Sequence, residues 1–414
     1  MRTSVTITAV WSVGRAAVLF AMLSNPAFPR QLVAADVRLY SAWWTRFLSH
    51  GVFPAQDVAW QYPPGAALPM AVPGLVTGNF FSYLYAFALL VLIADLAVHV
   101  LLLRRCATTR GVAGGAWYWA LVPPLLGTVW FTRIDVMATA LAVAAVLINR
   151  RPLVSGLLLG AGAVLKVWPL LALGGLRRGR PVFFAALAAT AVLVQTQLWS
   201  TVAMPGALGF LAHQRDRGLE VEAVAATPLV LYRLSGSGPE LVLRYGSWEL
   251  VGPFVGIALT TCRLTALTAG VFLVIWWRRS DWHPAVPYDA ALTIVLVAMV
   301  TSPVLSPQYL IWATGLAAAC LTRSDTTQRP AALLIAICCL LTQLHFPVLW
   351  HGIHNRDTLA AVVLALRNAL LLGAAAWSIT SLWTSTRRHA VQTGQPPVAQ
   401  PVPAAASDAS RSPS

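Results

Sequence analysis

The chain has 414 residues, of which 58% are hydrophobic, 10% are charged and 17 are tryptophan, and its net charge is +15. Soluble domains carry about 25% charged residues, so this composition excludes an ordinary soluble enzyme and points to a protein whose solvent is lipid. The basic excess sits at the ends of apolar runs, not along one soluble face; this argues against a nucleic-acid partner and reads as a topology signal with attraction to anionic membrane lipid.

The first apolar run, 5–23, has no small-x-small cleavage site and is taken as a transmembrane helix, not a signal peptide. It leads into a first outer loop, 24–79, containing LVAADVRLYSAWWTRFLSHG. Leu39, Trp43 and Phe47 recur at i, i+4, i+8 with Tyr40, Trp44 and Leu48 beside them, so the pattern predicts an aromatic amphipathic helix lying in the headgroup layer. Asp36 falls in its first turn, at the lipid–water edge, where capping the helix is the plainest role open to it. The loop also holds His50, Asp57 and the run WQYPPGAALPM, which includes Tyr62.

Spans are expected at 80–103, 112–131 and 134–148. Between the last two lies WFTRIDVM, whose Arg133 and Asp135 suggest a local ion pair or a helix cap. The next run, PLVSGLLLGAGAVLKVWPLLALGG, has Lys166 and a proline in its middle and arginines at both ends. A single span would place one arginine cluster outside, against the positive-inside rule, so two half-length helices that enter and return are expected. Lys166 is the one lysine beside 28 arginines. At the turn of a broken hairpin it either snorkels to the interface or holds an anionic headgroup.

Spans at 181–199 and 254–277 flank a long outer loop with HQRDRGLEVEA, which brings Arg217, Glu220 and Glu222. The two glutamates would point the same way in a strand and apart in a helix. Spans at 288–304 and 309–321 meet at SPVLSPQYLIW, where two Ser-Pro steps form a turn and set Gln308 and Tyr309 at the outer mouth. The last two spans, 331–344 and 359–383, enclose HFPVLWHGIHNRD with His345, His351, His354 and Arg356. His351 and His354 are spaced to share a metal or hold a phosphate, or are simply solvated. Residues 387–414 read as a disordered cytoplasmic tail behind an integral-membrane domain 1–386. Counting the two half-helices gives an all-α polytopic membrane protein of about 10–12 transmembrane helices, with interfacial helices in the first outer loop and both termini cytoplasmic. Arg104, Arg105, Arg110, Arg278, Arg279, Arg323, Arg329, Arg387 and Arg388 fall on the inner side and most acids outside. The five cysteines suggest neither an outer disulfide nor a CxxC metal site.

Taken in order, Asp36 with Tyr40 and Trp44, WQYPPGA, GLLLGAGAVLKVWPLLAL, RGLEVEA and SPVLSPQYLIW resemble the actinobacterial mannosyltransferases that use polyprenyl-phosphate mannose, integral-membrane enzymes of the GT-C superfamily. The resemblance runs to about residue 383; where that family often has a Gln-Ile-Glu-Ser-like run, this chain has EVEA. It implies a GT-C-like bundle in the plasma membrane, an active site on the external side, a polyprenyl-phosphate sugar donor, a glycan or glycolipid acceptor and no cofactor or metal. Asp36 matches the first-loop aspartate expected to be the general base. Lys166, Tyr40, Asp57, Tyr62, Arg217, Glu222, Gln308, Tyr309, His351, His354 and Arg356 are the expected substrate-binding residues. The competing reading is a transporter or flippase of lipid-linked sugars, which predicts repeat symmetry and charges on both sides of the midplane. No internal repeat is found.

Overall fold

The structure is a computed structural model, which describes residues 2–54, 57, 60–108, 112–203 and 208–393. It is an all-α polytopic fold with one small sheet. Helix α1 (Arg2–Leu23) leads to α2 (Ala35–Arg46), α3 (Ala67–Val76) and the long α4 (Phe80–Thr108). α5 (Gly114–Leu121) stops where Pro123 and Pro124 remove backbone donors. The chain continues as a 3-10 segment, Pro123–Thr132, with Gly127 at φ +56°, and α6 (Asp135–Leu147) departs from it at 119°. The span expected at 112–131 is therefore broken in the middle.

α7 (Pro152–Ala163) and a 3-10 segment, Trp168–Gly175, are the two half-length helices expected around Lys166, and α8 (Arg180–Ala203) packs along α7. The outer loop then forms α9 (Gly209–Arg215), β1 (Leu219–Glu220), α10 (Thr227–Tyr232) and a hairpin of β2 (Glu240–Arg244) and β3 (Ser247–Val251). The sheet is antiparallel in the order β1-β3-β2. α11 (Val255–Arg279), α12 (Val286–Thr301), α13 (Tyr309–Cys320), α14 (Arg329–Gln343), α15 (Trp350–His354) and α16 (Thr358–Thr393) complete the chain. α16 runs past residue 386, so the expected tail begins inside a helix; residues 394–414, like Arg110, lie outside the described residues.

Among the described residues six helices are long and apolar enough to cross a membrane, or seven if the bent pair counts as one span. α7, α12 and α13 are apolar but shorter. α13 is buried from Leu310 to Cys320, and a helix apolar on every side that meets protein all round need not match the thickness of the hydrocarbon.

Two groups of charges orient the bundle. At one end Arg105 donates to the Tyr288 hydroxyl (3.0 Å), Arg178 to the Ser280 carbonyl (3.3 Å), and Arg323 lies 5.6 Å from the Tyr288 ring. The ends of α4, α11 and α13 and the start of α12 thus share an arginine-rich end. α12, at 1.5 Å per residue over 16 residues, carries the chain about 24 Å from that end to the Ser-Pro turn. Deep between the helices, Arg15 of α1 meets Asp95 of α4 at 2.7 Å. Asp95 also accepts the indole N–H groups of Trp11, Trp119 and Trp130 (3.0, 2.6 and 3.1 Å), while Arg15 donates to the carbonyls of Trp119 and Ala120. A charge pair this well satisfied repays its desolvation by tying α1, α4, α5 and the 3-10 segment together. Neither residue was singled out in the sequence.

Candidate active site

A cavity of about 520 Å³ opens at the Ser-Pro end of α12, within the range of about 300–1,000 Å³ that encloses small ligands. Seven of the residues proposed from sequence line it: Asp36, Tyr62, Lys166, Arg217, Glu222, Gln308 and Tyr309. Five separate stretches of chain supply them.

α2 brings Asp36. The N-cap position of this helix is Ala34 and no side chain caps it, so Asp36 does not serve as the cap. Its carboxylate instead lies 2.8 Å from Arg133 Nε. Arg133 is buried and also donates through Nη1 to the Val33 carbonyl (3.0 Å) and the Thr132 hydroxyl (2.9 Å), which fixes the entry to α2 against the start of α6. The local Arg133–Asp135 pair expected from sequence does not form.

One residue of each aromatic row of α2 faces protein, while Leu39, Trp44, Phe47 and Leu48 are half-buried. Tyr40 and Trp43 are fully buried and pack against Trp60, Tyr62 and Phe87. Tyr40 sits 3.0 Å from the Tyr62 hydroxyl, and Trp43 donates to Asp57 at 2.8 Å. Tyr40 and Asp57 thus stand behind the cavity and hold Tyr62 and α2 in place; neither lines it. Gly65 presses against the Val164 carbonyl, an approach that a Cβ would block, and so the Tyr-Pro-Pro loop docks beside Lys166. Burial first, then the charges of Asp36 and Asp135, push the Tyr62 hydroxyl far above its ordinary range, so it stays a proton donor.

Lys166 pairs with Asp135 at 2.7 Å, and Trp312 donates to the same carboxylate oxygen at 2.6 Å. The ammonium lies 5.4–5.6 Å from the rings of Tyr62, Tyr309 and Trp312. A lysine boxed by three aromatic rings and a buried carboxylate does not snorkel.

Glu220 stitches the Ser-Pro turn to β1. Its N–H donates to the Pro303 carbonyl (2.9 Å), and its carboxylate accepts from the Leu305 N–H (2.8 Å) and the Ser306 hydroxyl (2.9 Å). Those three bonds present Ser306, Gln308 and Tyr309 to the cavity. Burial raises the Glu220 carboxyl to about 7, Arg217 opposes the rise and Glu222 adds to it. Arg217 donates to Ser247 at 2.7 Å and stands 4.0 Å from Glu220; its buried Nε has no hydrogen-bond partner among the described residues.

Glu222 lies 3.2 Å from His345 Nε2 and 3.3 Å from Arg367 Nη2. Arg367, inside α16, was overlooked in the sequence, although an arginine within an apolar span is itself a signal. His351, His354 and Arg356 do not reach the cavity. His351 is exposed, His354 packs edge-on against Trp248 at 4.4 Å, and Arg356 donates to the Gly236 carbonyl at 2.5 Å. Among the described residues no three metal-ligating side chains converge. The cavity has a second, aromatic wall of Tyr245, Trp248, Phe346 and Trp350, which no motif announced.

Glycosyltransferase family 87 matches residues 60–307, more than half of the chain. The chain belongs to glycosyltransferase family 87. The matched stretch contains Tyr62, Lys166, Arg217, Glu220 and Glu222 and begins downstream of Asp36. No curated protein and no solved structure matches the chain. This family 87 protein is thus a membrane glycosyltransferase, and family membership favours the enzyme over the transporter reading.

Proposed function

We propose that this family 87 enzyme moves a sugar, mannose before others, from a polyprenyl-phosphate donor to a hydroxyl of a glycan or glycolipid on the external face of the plasma membrane, with Asp36 as general base. The observation that carries the reading is a difference in exposure among the acids around the cavity. Asp135 is 0% exposed and bound to Lys166, Glu222 is 4% exposed and bound to Arg367 and His345, and Glu220 is 6% exposed with both oxygens engaged. Asp36 is 27% exposed and turned to the cavity, so it is the carboxylate that an acceptor hydroxyl can reach.

In the proposed step the acceptor oxygen attacks the anomeric carbon and its proton passes to the Asp36 carboxylate. The bond from that carbon to the phosphate oxygen breaks, and polyprenyl phosphate leaves. Arg217, Lys166 and the Tyr62 hydroxyl are the donors available to the leaving phosphate, and Arg133 sets the direction of Asp36. The hydrocarbon of such a donor needs an apolar path, and a groove of about 260 Å³ lined by Pro63, Val164, Val167, Leu193 and Phe210 opens beside Tyr62 and Lys166. The external placement is supported by the arginine-rich end lying at the far end of α12.

The test is Asp36→Asn in purified enzyme supplied with polyprenyl-phosphate mannose and a membrane glycolipid extract. Turnover is expected to fall about 10²–10⁴-fold with the donor KM nearly unchanged, because the amide keeps the shape and loses the basicity. An Asp36→Asn enzyme that is folded and keeps most of its rate refutes the assignment. Polyprenyl-phosphate glucose and arabinose in the same assay decide the sugar.

A further inference from the structure

The proposed transfer uses the charged wall of the cavity and leaves the aromatic wall without a task. That wall comes from two places: the tip of the β2–β3 hairpin, with Tyr245 and Trp248, and the segment before and within α15, with Phe346 and Trp350. Trp248 is held edge-on to His354, and His354 in turn meets Trp350 at 5.5 Å. Trp350 also packs against Phe346 and against His345, the partner of Glu222. Trp248, His354, Trp350 and Phe346 are therefore braced against one another beside the ionic groups, with Phe346 and Trp350 buried behind Trp248 and with Tyr245 at the turn.

The hairpin turn is unusual for its residue choice. Arg244 pairs with Ser247 across it, and both central residues, Tyr245 at φ +50° and Gly246 at φ +75°, are left-handed. Such a turn favours Asn, Asp or Gly first, since a Cβ is crowded in that conformation. A tyrosine kept there, half-buried and lining the cavity, puts a ring at the mouth against the local preference.

We propose that Tyr245 and Trp248, with the buried Trp350 as their backing, form the subsite for the sugar ring of the acceptor. This rests on the transferase reading above. Aromatic faces bind the C–H faces of pyranose rings through dispersion and the ring quadrupole, while neighbouring charged groups take the hydroxyls. The donor's isoprenoid chain is the wrong occupant. It must stay in hydrocarbon, whereas the turn exposes Arg244 and Gly246 on either side of Tyr245, and Leu243 is the one exposed apolar residue of β2. A carbohydrate has the matching pair of surfaces, and the hydroxyl to be glycosylated then meets Asp36 across the same cavity.

The test measures binding without donor or turnover. Saturation-transfer-difference NMR, irradiating the aromatic protons of the full-length enzyme in nanodiscs, uses mannotriose and maltotriose as probes. Wild-type protein is expected to pass saturation to the C–H protons of at least one trisaccharide. Trp248→Ala should weaken its affinity about ten-fold or more, the loss of one stacked ring. Tyr245→Asn is the discriminating variant: asparagine suits the turn better, so thermal stability should hold or rise while affinity falls. The readout needs neither donor nor turnover, so a failure of the catalytic assignment to Asp36 leaves this result standing. No saturation transfer to either trisaccharide in the wild type, or unchanged affinity in a folded Tyr245→Asn protein, overturns the proposal.

Discussion

Lys166 and Asp135 allow structural and functional roles to be separated in one double-mutant cycle. Asp135 is fully buried and Lys166 is 15% exposed, with 2.7 Å between them. Lys166→Met keeps most of the side-chain volume and removes the charge, which leaves a carboxylate inside the protein with only the Trp312 indole to satisfy it. Removing one partner of a buried pair costs about 3–5 kcal/mol, because the surviving charge is uncompensated. Asp135→Asn in the Lys166→Met background removes that charge, keeps an acceptor for Trp312, and should restore most of the stability. Unfolding in SDS from mild-detergent micelles measures the four corners of the cycle. If Lys166 also serves the donor phosphate, the stable double variant still uses donor poorly, by roughly ten- to a hundred-fold, the worth of one charge-assisted hydrogen bond of about 1.5–3 kcal/mol. A Lys166→Met protein as stable as wild type would refute the pairing argument. A double variant with wild-type donor KM would leave Lys166 as the partner of Asp135 and nothing more.

Three further outcomes are expected. The Glu220 carboxyl is raised to about 7 in the folded protein, above its unfolded value near 4.5, so its contribution to stability is fully present below about pH 4.5 and is lost as pH rises through 7; Glu220→Gln should flatten that part of a stability-against-pH profile, and an unchanged slope counts against the burial argument. Arg15→Met strands Asp95 beside three indoles and should cost about 3–5 kcal/mol, while the donor KM of the folded fraction stays put, since the cluster does not line the cavity; a KM shift without loss of stability would contradict this. Cysteines introduced at Ser237 and Arg279 should label from outside and inside respectively in intact cells, and outside labelling at Arg279 would overturn the orientation taken from the arginine-rich end.

Much of the fold was legible because lipid imposes a strong code. Each of the ten apolar runs read as spans coincides with helical chain, and the half-helices around Lys166 were readable from arginines flanking both ends. The sequence did not reveal which face of α2 meets protein. Tyr40 and Trp43 look the same whether an aromatic row rests on headgroups or on Trp60 and Phe87, because periodicity reports that a face is apolar and not what covers it. Pairings fared similarly. Arg133 and Asp135 lie two apart in sequence at a 119° bend between helical segments, yet each finds its partner on another stretch of chain, Asp36 and Lys166 respectively. The hairpin was hidden too, since Tyr-Gly is a poor match to the turn that forms there.

The charge arrangement around the cavity follows from the same constraint that made the spans readable. In a protein this poor in acids, three buried carboxylates around the cavity are matched: Asp135 by Lys166, Glu222 by Arg367 and His345, Glu220 by backbone, hydroxyl and the more distant Arg217. Pairing of that kind holds loops and helices in register but ties up the lone pairs that a proton-accepting group needs. Asp36 has Arg133 on one side and the open cavity on the other, so it is oriented without being enclosed. In the proposed transfer, that orientation fixes where the acceptor hydroxyl sits, and the exposure leaves room for it. A carboxylate placed deeper would gain pairing strength and lose access, and one placed on the open surface would gain access and lose the fixed geometry that makes transfer faster than encounter.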